Sequence, residues 1–283
     1  MKAKKRLFLF AGYDANGIID DAILYYAQQL SEIGDIVLYM DCDAKKSEIN
    51  KIKKYCLYAH ASRHGEYDFG SYKRAYIWAR DNNILENYDF VYLVNDSVFG
   101  PLFNIEKSIN ALESNVYDAT GMVASYHKTH SYMESWFIKL NRKIFTSIWF
   151  DEFISSVTHE LRKTQVTIKY EHGLSKLIKN NGCSWNGLYN IRGRYTYNNP
   201  RGLFKHGCPF IKRMSFTRHH GELGNQVKYV LKHSDSDAVH AIMKTANRVY
   251  GTEYMHSFLT YNPIKILWRG LKYATHKIMD KIK

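Results

Sequence analysis

Residues 7–11, Leu-Phe-Leu-Phe-Ala, form an unbroken apolar run that stops at Gly12 and gives way to the turn Asp14-Ala15-Asn16-Gly17. A short run of this kind between turn residues reads as a strand covered on both faces, since a strand with one wet face alternates. From Ile19 the period changes, with Ile19, Ile23, Tyr26, Ala27 and Leu30 at helical spacing up to Ile33. The same alternation works outward along the chain. Strands are expected over 36–40, 55–59, 90–94 and 119–124, with helices over 45–54, 69–80 and 105–112. Beyond these lie a strand at 136–140, a helix at 145–157 and a helix at 171–181 that Gly182 closes. This order predicts a doubly wound α/β domain. Residues 192–225 read as loop-rich and basic, and no repeat or linker interrupts the chain. One domain over 1–230 and a helical C-terminal extension over 231–283 are therefore expected.

The 283 residues are 45% hydrophobic, 24% charged and 15% aromatic, which excludes disordered, collagen-like and low-complexity chains. Lys and Arg number 40 against 27 Asp and Glu, a net charge of +13. That excess calls for a polyanionic partner: nucleic acid, an anionic membrane surface or a phosphorylated substrate. No basic-aromatic run or nucleic-acid motif is present, so no nucleic acid is expected. No stretch reaches the length of a spanning helix, and the apolar run after the basic start is too short for a signal peptide. A cytoplasmic location is expected. Cys42, Cys56, Cys183 and Cys208 are scattered without a CxxC pair, and His206-Gly207-Cys208 with His219-His220 completes no zinc set.

The extension carries its own signal. Ile264, Leu267, Trp268, Leu271, Ile278 and Ile282 share one helical face, while Lys265, Arg269, Lys272, Lys277 and Lys281 lie off it. Residues 263–283 sum to +5, so the segment reads as an anchor on an anionic membrane surface, at the inner face of the cell membrane. Packing of the same stripe on the domain is the equal alternative.

Open α/β sheets bind ligands outside the carboxyl ends of their strands. Those positions carry Asp14, then Asp41 and Asp43, then Arg63 and Asp68, then Asn95-Asp96-Ser97. One loop carboxylate is ordinarily a turn former or helix cap. Four successive strand ends so furnished point to a site. Asp96 is placed to ligate a divalent cation, because magnesium takes one or two carboxylates and completes its shell with phosphates. The aromatics Tyr132, Trp136, Phe145, Trp149, Phe150 and Phe153 read as core in preference to an acceptor groove.

The stretches AGYDANGIIDDAILYYAQQL, RHGEYDFGSYKRAY, LVNDSVFGPLF and YEHGLSKLIKNNG resemble the rhamnan synthesis protein F family of polysaccharide and lipopolysaccharide biosynthesis proteins, over about residues 5–215. The chain departs from that pattern at His64-Gly65-Glu66, where Asn-Gly is expected, and at Thr120-Gly121, where Trp-Gly is expected. The order of motifs is also similar to inverting GT-A glycosyltransferases of the family-2 type. That likeness implies a GT-A-like, Rossmann-like doubly wound mixed sheet. It also implies a donor-binding set of Tyr13, Asp14, Asp41, Arg63, Gly65, Asp68, Asn95, Asp96 and Ser97. Asn95-Asp96-Ser97 stands in place of Asp-x-Asp, making Asp96 the principal ligand of a magnesium or manganese ion. Glu171, expected to open a helix, is implied as the catalytic base; Asp118, Glu134 or Asp151 would take its place if Glu171 were eliminated. The implied activity is transfer of a sugar from a nucleotide-sugar donor, dTDP-rhamnose by the family's name, to a lipid-linked glycan acceptor. A catalytically weakened glycan-assembly protein is the alternative, ahead of a nucleic-acid-binding one.

Overall fold

In the computed structural model, which describes residues 4–126, 131–193, 195–217, 222–260 and positions 263, 264, 267, 268 and 271, the 7–11 run is a central strand. The chain begins β1 (Arg6–Gly12), α1 (Asp21–Ser31), β2 (Asp35–Met40), α2 (Lys46–Ile52), β3 (Tyr58–Ala61), α3 (Tyr67–Asp81) and β4 (Phe90–Asn95). Next come β5 (Val98–Phe99), α4 (Glu106–Ser114), β6 (Ala119–Tyr126), β7 (Ser131–Met133) and β8 (Phe137–Asn141). Helices α5 (Arg142–Phe145), α6 (Ile148–Ser155), α7 (Lys163–Val166) and α8 (Gly173–Asn180) precede β9 (Trp185–Arg192), and a π-helical turn, Thr167–His172, joins α7 to α8. The remainder holds α9 (Tyr195–Asn198), α10 (Pro200–Lys205), β10 (Ile211–Lys212), α11 (Leu223–Lys232), α12 (Ser236–Tyr250) and α13 (Thr252–Leu259).

These elements form two compact units, Met1–Asp96 with Glu106–Gly193, and Ser97–Ile105 with Arg194–Lys283. The division at Gly193 differs from the expected boundary after residue 230, because 97–105 and the short elements after 194 pair with each other. In the first unit the strand order is β3-β2-β1-β4-β8-β6-β7, with β9 beside β6. β1 runs parallel to β2 and β4, whereas β8 is antiparallel to both of its neighbours. This is the doubly wound mixed sheet that the sequence implies.

Both faces of β1 are covered, and Leu7 through Ala11 are wholly buried. Leu7, Leu9 and Ala11 share a core with Phe69, Tyr72, Ala75 and Tyr76 of α3. Phe10 meets Tyr26 of α1 edge to face at 5.0 Å. Helix α1 starts where Asp20 accepts the Ile23 N–H at 3.0 Å, the usual satisfaction of a first-turn donor. Phe145 and Phe150 are buried in this core, Trp149 and Phe153 pack against it and Trp136 is buried, as the core reading expects, whereas Tyr132 is only half-buried. The expected 145–157 helix divides at Thr146, since Ser147 caps α6 through the Phe150 N–H. In the second unit Phe99 pairs with Ile211 across β5 and β10, and Phe216 packs on Phe99 at 5.1 Å.

Charged groups are also built into the core. Lys139 on β8 is fully buried, and its Nζ donates to the Tyr117 carbonyl at 3.0 Å and Asn141 Oδ1 at 2.9 Å. Burial pushes its pKa down to about 8. The unfolded chain therefore binds more protons than the folded one between pH 8 and pH 10.5, so the stability this group contributes rises with pH across that window. Lys139→Met is expected to flatten the rise, read as the difference between parent and variant urea-unfolding free energies at the two ends of the window. Parallel pH dependence in the two proteins contradicts the shift.

Candidate functional site

Because β1, β2, β3 and β4 are parallel, the residues that follow them share one end of the sheet. After β1, Asp14 Oδ1 accepts the Asn16 and Ile18 N–H groups at 2.9 and 3.1 Å, folding the 14–18 turn on its own carboxylate. After β2, Asp41 Oδ1 accepts the His64 and Gly65 N–H groups at 2.8 and 3.0 Å. Asp43 receives Arg63 Nε at 3.2 Å. Asp14 and Asp41 are thus turn and loop organisers, and Asp41 binds the loop after β3 to the end of β2.

That loop is tightly determined. Gly65 has φ +69°, and a Cβ there would stand 3.1 Å from His159 Nδ1, which itself hydrogen-bonds the Gly65 carbonyl at 2.6 Å. The Glu66 N–H donates to His64 Nδ1 at 3.1 Å, placing the proton of the neutral ring on Nε2, 3.0 Å from Ser71 Oγ. Burial, followed by the charge of Arg74, holds the His64 pKa below its ordinary value and keeps that neutral form. Tyr67 has φ +57°, a left-handed conformation that costs an aromatic residue about 1–3 kcal/mol and survives where its surroundings enforce it. It immediately precedes Asp68, whose Oδ2 accepts Asn95 Nδ2 at 3.0 Å.

At the end of β4, Asp96 donates its own N–H to the Ala11 carbonyl at 3.1 Å, and its Oδ2 accepts the Tyr13 N–H at 3.3 Å. Asp96 is 7% exposed, so its charge lies in a shielded position beside β1. Ser97 belongs to the second unit, where its hydroxyl receives Lys212 Nζ at 3.2 Å and its carbonyl receives the Arg213 N–H at 3.0 Å. The Gly100–Pro101 turn lies in that unit too.

The segment 134–136, which joins β7 to β8, completes the arrangement in the first unit. The Asn95 N–H donates to the Trp136 carbonyl at 3.1 Å, and the Tyr72 hydroxyl donates to the Ser135 carbonyl at 2.9 Å. The Ser135 N–H in turn donates to Glu171 Oε1 at 2.7 Å. Glu134 is buried and accepts Trp136 Nε1 at 2.7 Å. The Tyr132 and His172 rings lie tilted with centroids 4.0 Å apart, and burial, then the neighbouring Glu171 and Glu134 carboxylates, push the phenol up to about 12. Asp68, Asn95, Ser135 and Glu171 are therefore linked through one hydrogen-bonded frame, and Asp96 follows Asn95 in the chain with its own bonds to Ala11 and Tyr13.

Glu171 does not open a helix. It sits inside the π turn, so no helix N-terminus supports its charge, and its position is set by the Ser135 N–H instead. Turns of this type recur at functional sites. Of the substitute bases, Asp118 precedes β6 at the opposite end of the sheet and accepts the Ser184 N–H at 2.8 Å, while Asp151 pairs with Arg80 at 2.8 Å. Neither belongs to the frame, whereas Glu134 does. Among the described residues no group of three or more His, Cys, Asp or Glu converges to hold a metal alone. A caged ion does not fit this site. An ion sharing Asp96 with phosphate oxygens does, since magnesium asks for no more than one or two carboxylates.

No curated protein matches the chain. Among solved structures, one described as a nucleotide-diphospho-sugar transferase from Desulfovibrio desulfuricans G20 is 16% identical, with a TM-score of 0.38, over 90% of this chain and 99% of that one. The family model of rhamnan synthesis protein F matches residues 62–279. This span begins at the loop that Asp41 anchors, takes in Asp68, Asn95-Asp96-Ser97 and Glu171, and runs well past residue 215. With most of its length matched, the site frame included, the chain belongs to the rhamnan synthesis protein F family.

Proposed function

We propose that the chain is a GT-A-like glycosyltransferase of polysaccharide synthesis, moving a sugar from a nucleoside diphosphate to a glycan acceptor with inversion at the anomeric carbon. The observation that carries this reading is the frame Asp68–Asn95–Trp136–Ser135–Glu171 at the carboxyl ends of the strands, with Asp96 beside it. Donor contacts fall to Tyr13, Arg63, Gly65, Asp68, Asn95 and Asp96, on loops that Asp14 and Asp41 shape. The rhamnan of the family name makes dTDP-rhamnose the first donor to try and a lipid-linked glycan the first acceptor.

In the reaction, an acceptor hydroxyl oxygen forms the new bond to the anomeric carbon as the bond from that carbon to the diphosphate breaks. Glu171 takes the hydroxyl proton. The departing diphosphate carries the electron pair and its negative charge. Asp96 would hold a magnesium or manganese ion, whose positive charge would offset part of that on the diphosphate.

Thermal unfolding with a panel of nucleoside diphosphates, each with and without magnesium or manganese, tests the reading. One diphosphate is expected to raise the melting temperature in a metal-dependent way, because a ligand of the folded state stabilises it by mass action. Asp96→Ala is expected to weaken that ligand about tenfold to a hundredfold, the loss of one charge-assisted contact, and to abolish the metal dependence. Unchanged affinity and metal dependence in the variant remove Asp96 from the site. Absence of any stabilising nucleotide removes the donor assignment itself.

A further inference from the structure

The net charge is divided very unequally. The first unit has 24 Lys and Arg against 22 Asp and Glu, whereas the second has 16 against 5, or +11 of the total +13. Four of those five carboxylates are committed to helix starts: Glu222 before α11, Asp235 before α12, Asp237 in the first turn of α12 and Glu253 in that of α13. There they oppose the positive ends of the helix dipoles. The cations of α10 and α11 are left without such compensation.

They gather on one aromatic ring. The Arg201 guanidinium lies 4.3 Å and Lys205 Nζ 5.5 Å from the centroid of Tyr229, and the His233 ring stacks on it at 4.1 Å. Arg201, Lys205 and His233 are exposed, and none is ion-paired to a carboxylate among the described residues. The ring attracts each cation, but it supplies no negative charge to relieve their mutual repulsion. An external anion would supply it.

A second feature of the same unit identifies the anion's carrier. Ile264, Leu267, Trp268 and Leu271 are helical and between 53% and 68% exposed. Their i, i+3, i+4, i+7 spacing is that of a single apolar stripe, and Lys265, Arg269 and Lys272 are interspersed in the sequence. A phosphodiester backbone offers such a stripe nothing to pack on. The acyl boundary of a bilayer does, while its headgroups carry the phosphate.

We propose that the second unit is a membrane-docking module, binding the phosphate headgroups of an anionic bilayer through Arg201 and Lys205 beside Tyr229 and burying the 264–271 stripe at the acyl boundary. This surface goes beyond the C-terminal stripe seen in the sequence and does not rest on the glycosyl-transfer reading. The full chain is sedimented with vesicles of phosphatidylcholine alone, and with vesicles of phosphatidylcholine and phosphatidylglycerol in equal parts. Binding to the anionic vesicles only is expected. Arg201→Gln with Lys205→Gln weakens that binding about twenty-fivefold, about fivefold for each cation removed, with no change in melting temperature. Leu267→Ala with Trp268→Ala weakens it as well, through the acyl contact. Three results overturn the proposal: equal binding to both kinds of vesicle, parental binding by the Arg201/Lys205 variant, or binding to a duplex oligonucleotide in place of vesicles. None of these measurements involves sugar transfer, so their outcome leaves the catalytic assignment standing or falling by itself.

Discussion

Glu171→Gln is expected to lower turnover by about 10²- to 10⁴-fold, the range a general base contributes, while donor affinity and melting temperature stay at parental values. The substitution is informative because the amide oxygen of Gln accepts the Ser135 N–H as the carboxylate does, so the 134–136 segment keeps its support. What it loses is the ability to take a proton. Rates must be compared at saturating donor and acceptor, where a fall in turnover is separated from weaker binding. A variant that retains turnover to within about threefold eliminates Glu171, since a lost base costs far more than that. The search then passes to Glu134, which the same frame holds in the buried interior.

The largest effect on stability is expected from Glu113→Ala. The Glu113 side chain at the end of α4 has no exposed surface, and it gathers Arg6 Nε at 2.5 Å, Arg6 Nη2 at 3.0 Å and the Tyr92 hydroxyl at 2.7 Å, with Lys4 Nζ at 3.4 Å. Its hydrogen bond and charge hold the Arg6 pKa above its ordinary value despite burial, and burial followed by the Glu113 charge pushes Tyr92 far up. Removing the carboxylate strands a partly buried guanidinium and a buried hydroxyl at once. Breaking a buried pair from one side costs about 3–5 kcal/mol, a large share of the 5–15 kcal/mol typical of a folded protein. At the 2–4 °C per kcal/mol of a domain this size, the melting temperature falls by about 6–20 °C. Glu113→Gln, which keeps the shape and one acceptor, is expected to fall between parent and Ala. A loss below about 1 kcal/mol in urea unfolding of the Ala variant shows that water or neighbouring groups satisfy Arg6, and that the network contributes no more than an exposed pair.

The features read correctly from the sequence are those decided locally. β1, β2 and β4 are unbroken apolar runs because helices cover both of their faces, and the residues after them are fixed at one end of the sheet by direction alone. Asp68, Asn95 and Asp96 follow from that. β9 escapes the same reading because Trp185–Arg192 is half-buried, with Asn186, Asn190 and Arg192 interspersed, and pairs with β6 through contacts more than 60 residues distant. The expected helix at 171 begins instead at 163, since Thr164 to Thr167 offers β-branched and polar residues that only tertiary packing of Val166 and Tyr170 makes helical. The bonds of Ser135 to Glu171, 36 residues apart, and of Arg6 to Glu113, 107 apart, are legible in no local pattern. Nor is the joining of 97–105 to the second unit, which depends on two-residue strands. The charge total was plain from composition, but its confinement to one unit emerges only once that division is known.

In the π turn at Thr167–His172 the backbone bonds skip one residue more than in an α-helix, so the turn holds a residue that regular helical winding has no room for. One residue is about 100° of helical rotation. The α7 and α8 faces are therefore phased by chain length at this turn, independently of which amino acids occupy it. A lineage that gained or lost a single residue between 167 and 172 would swing the carboxylate away from the Ser135 amide while keeping every side chain in the inventory. On the proposed reading of Glu171 as the base, the competence of relatives is thus better judged by the residue count across this turn than by whether a glutamate appears in it.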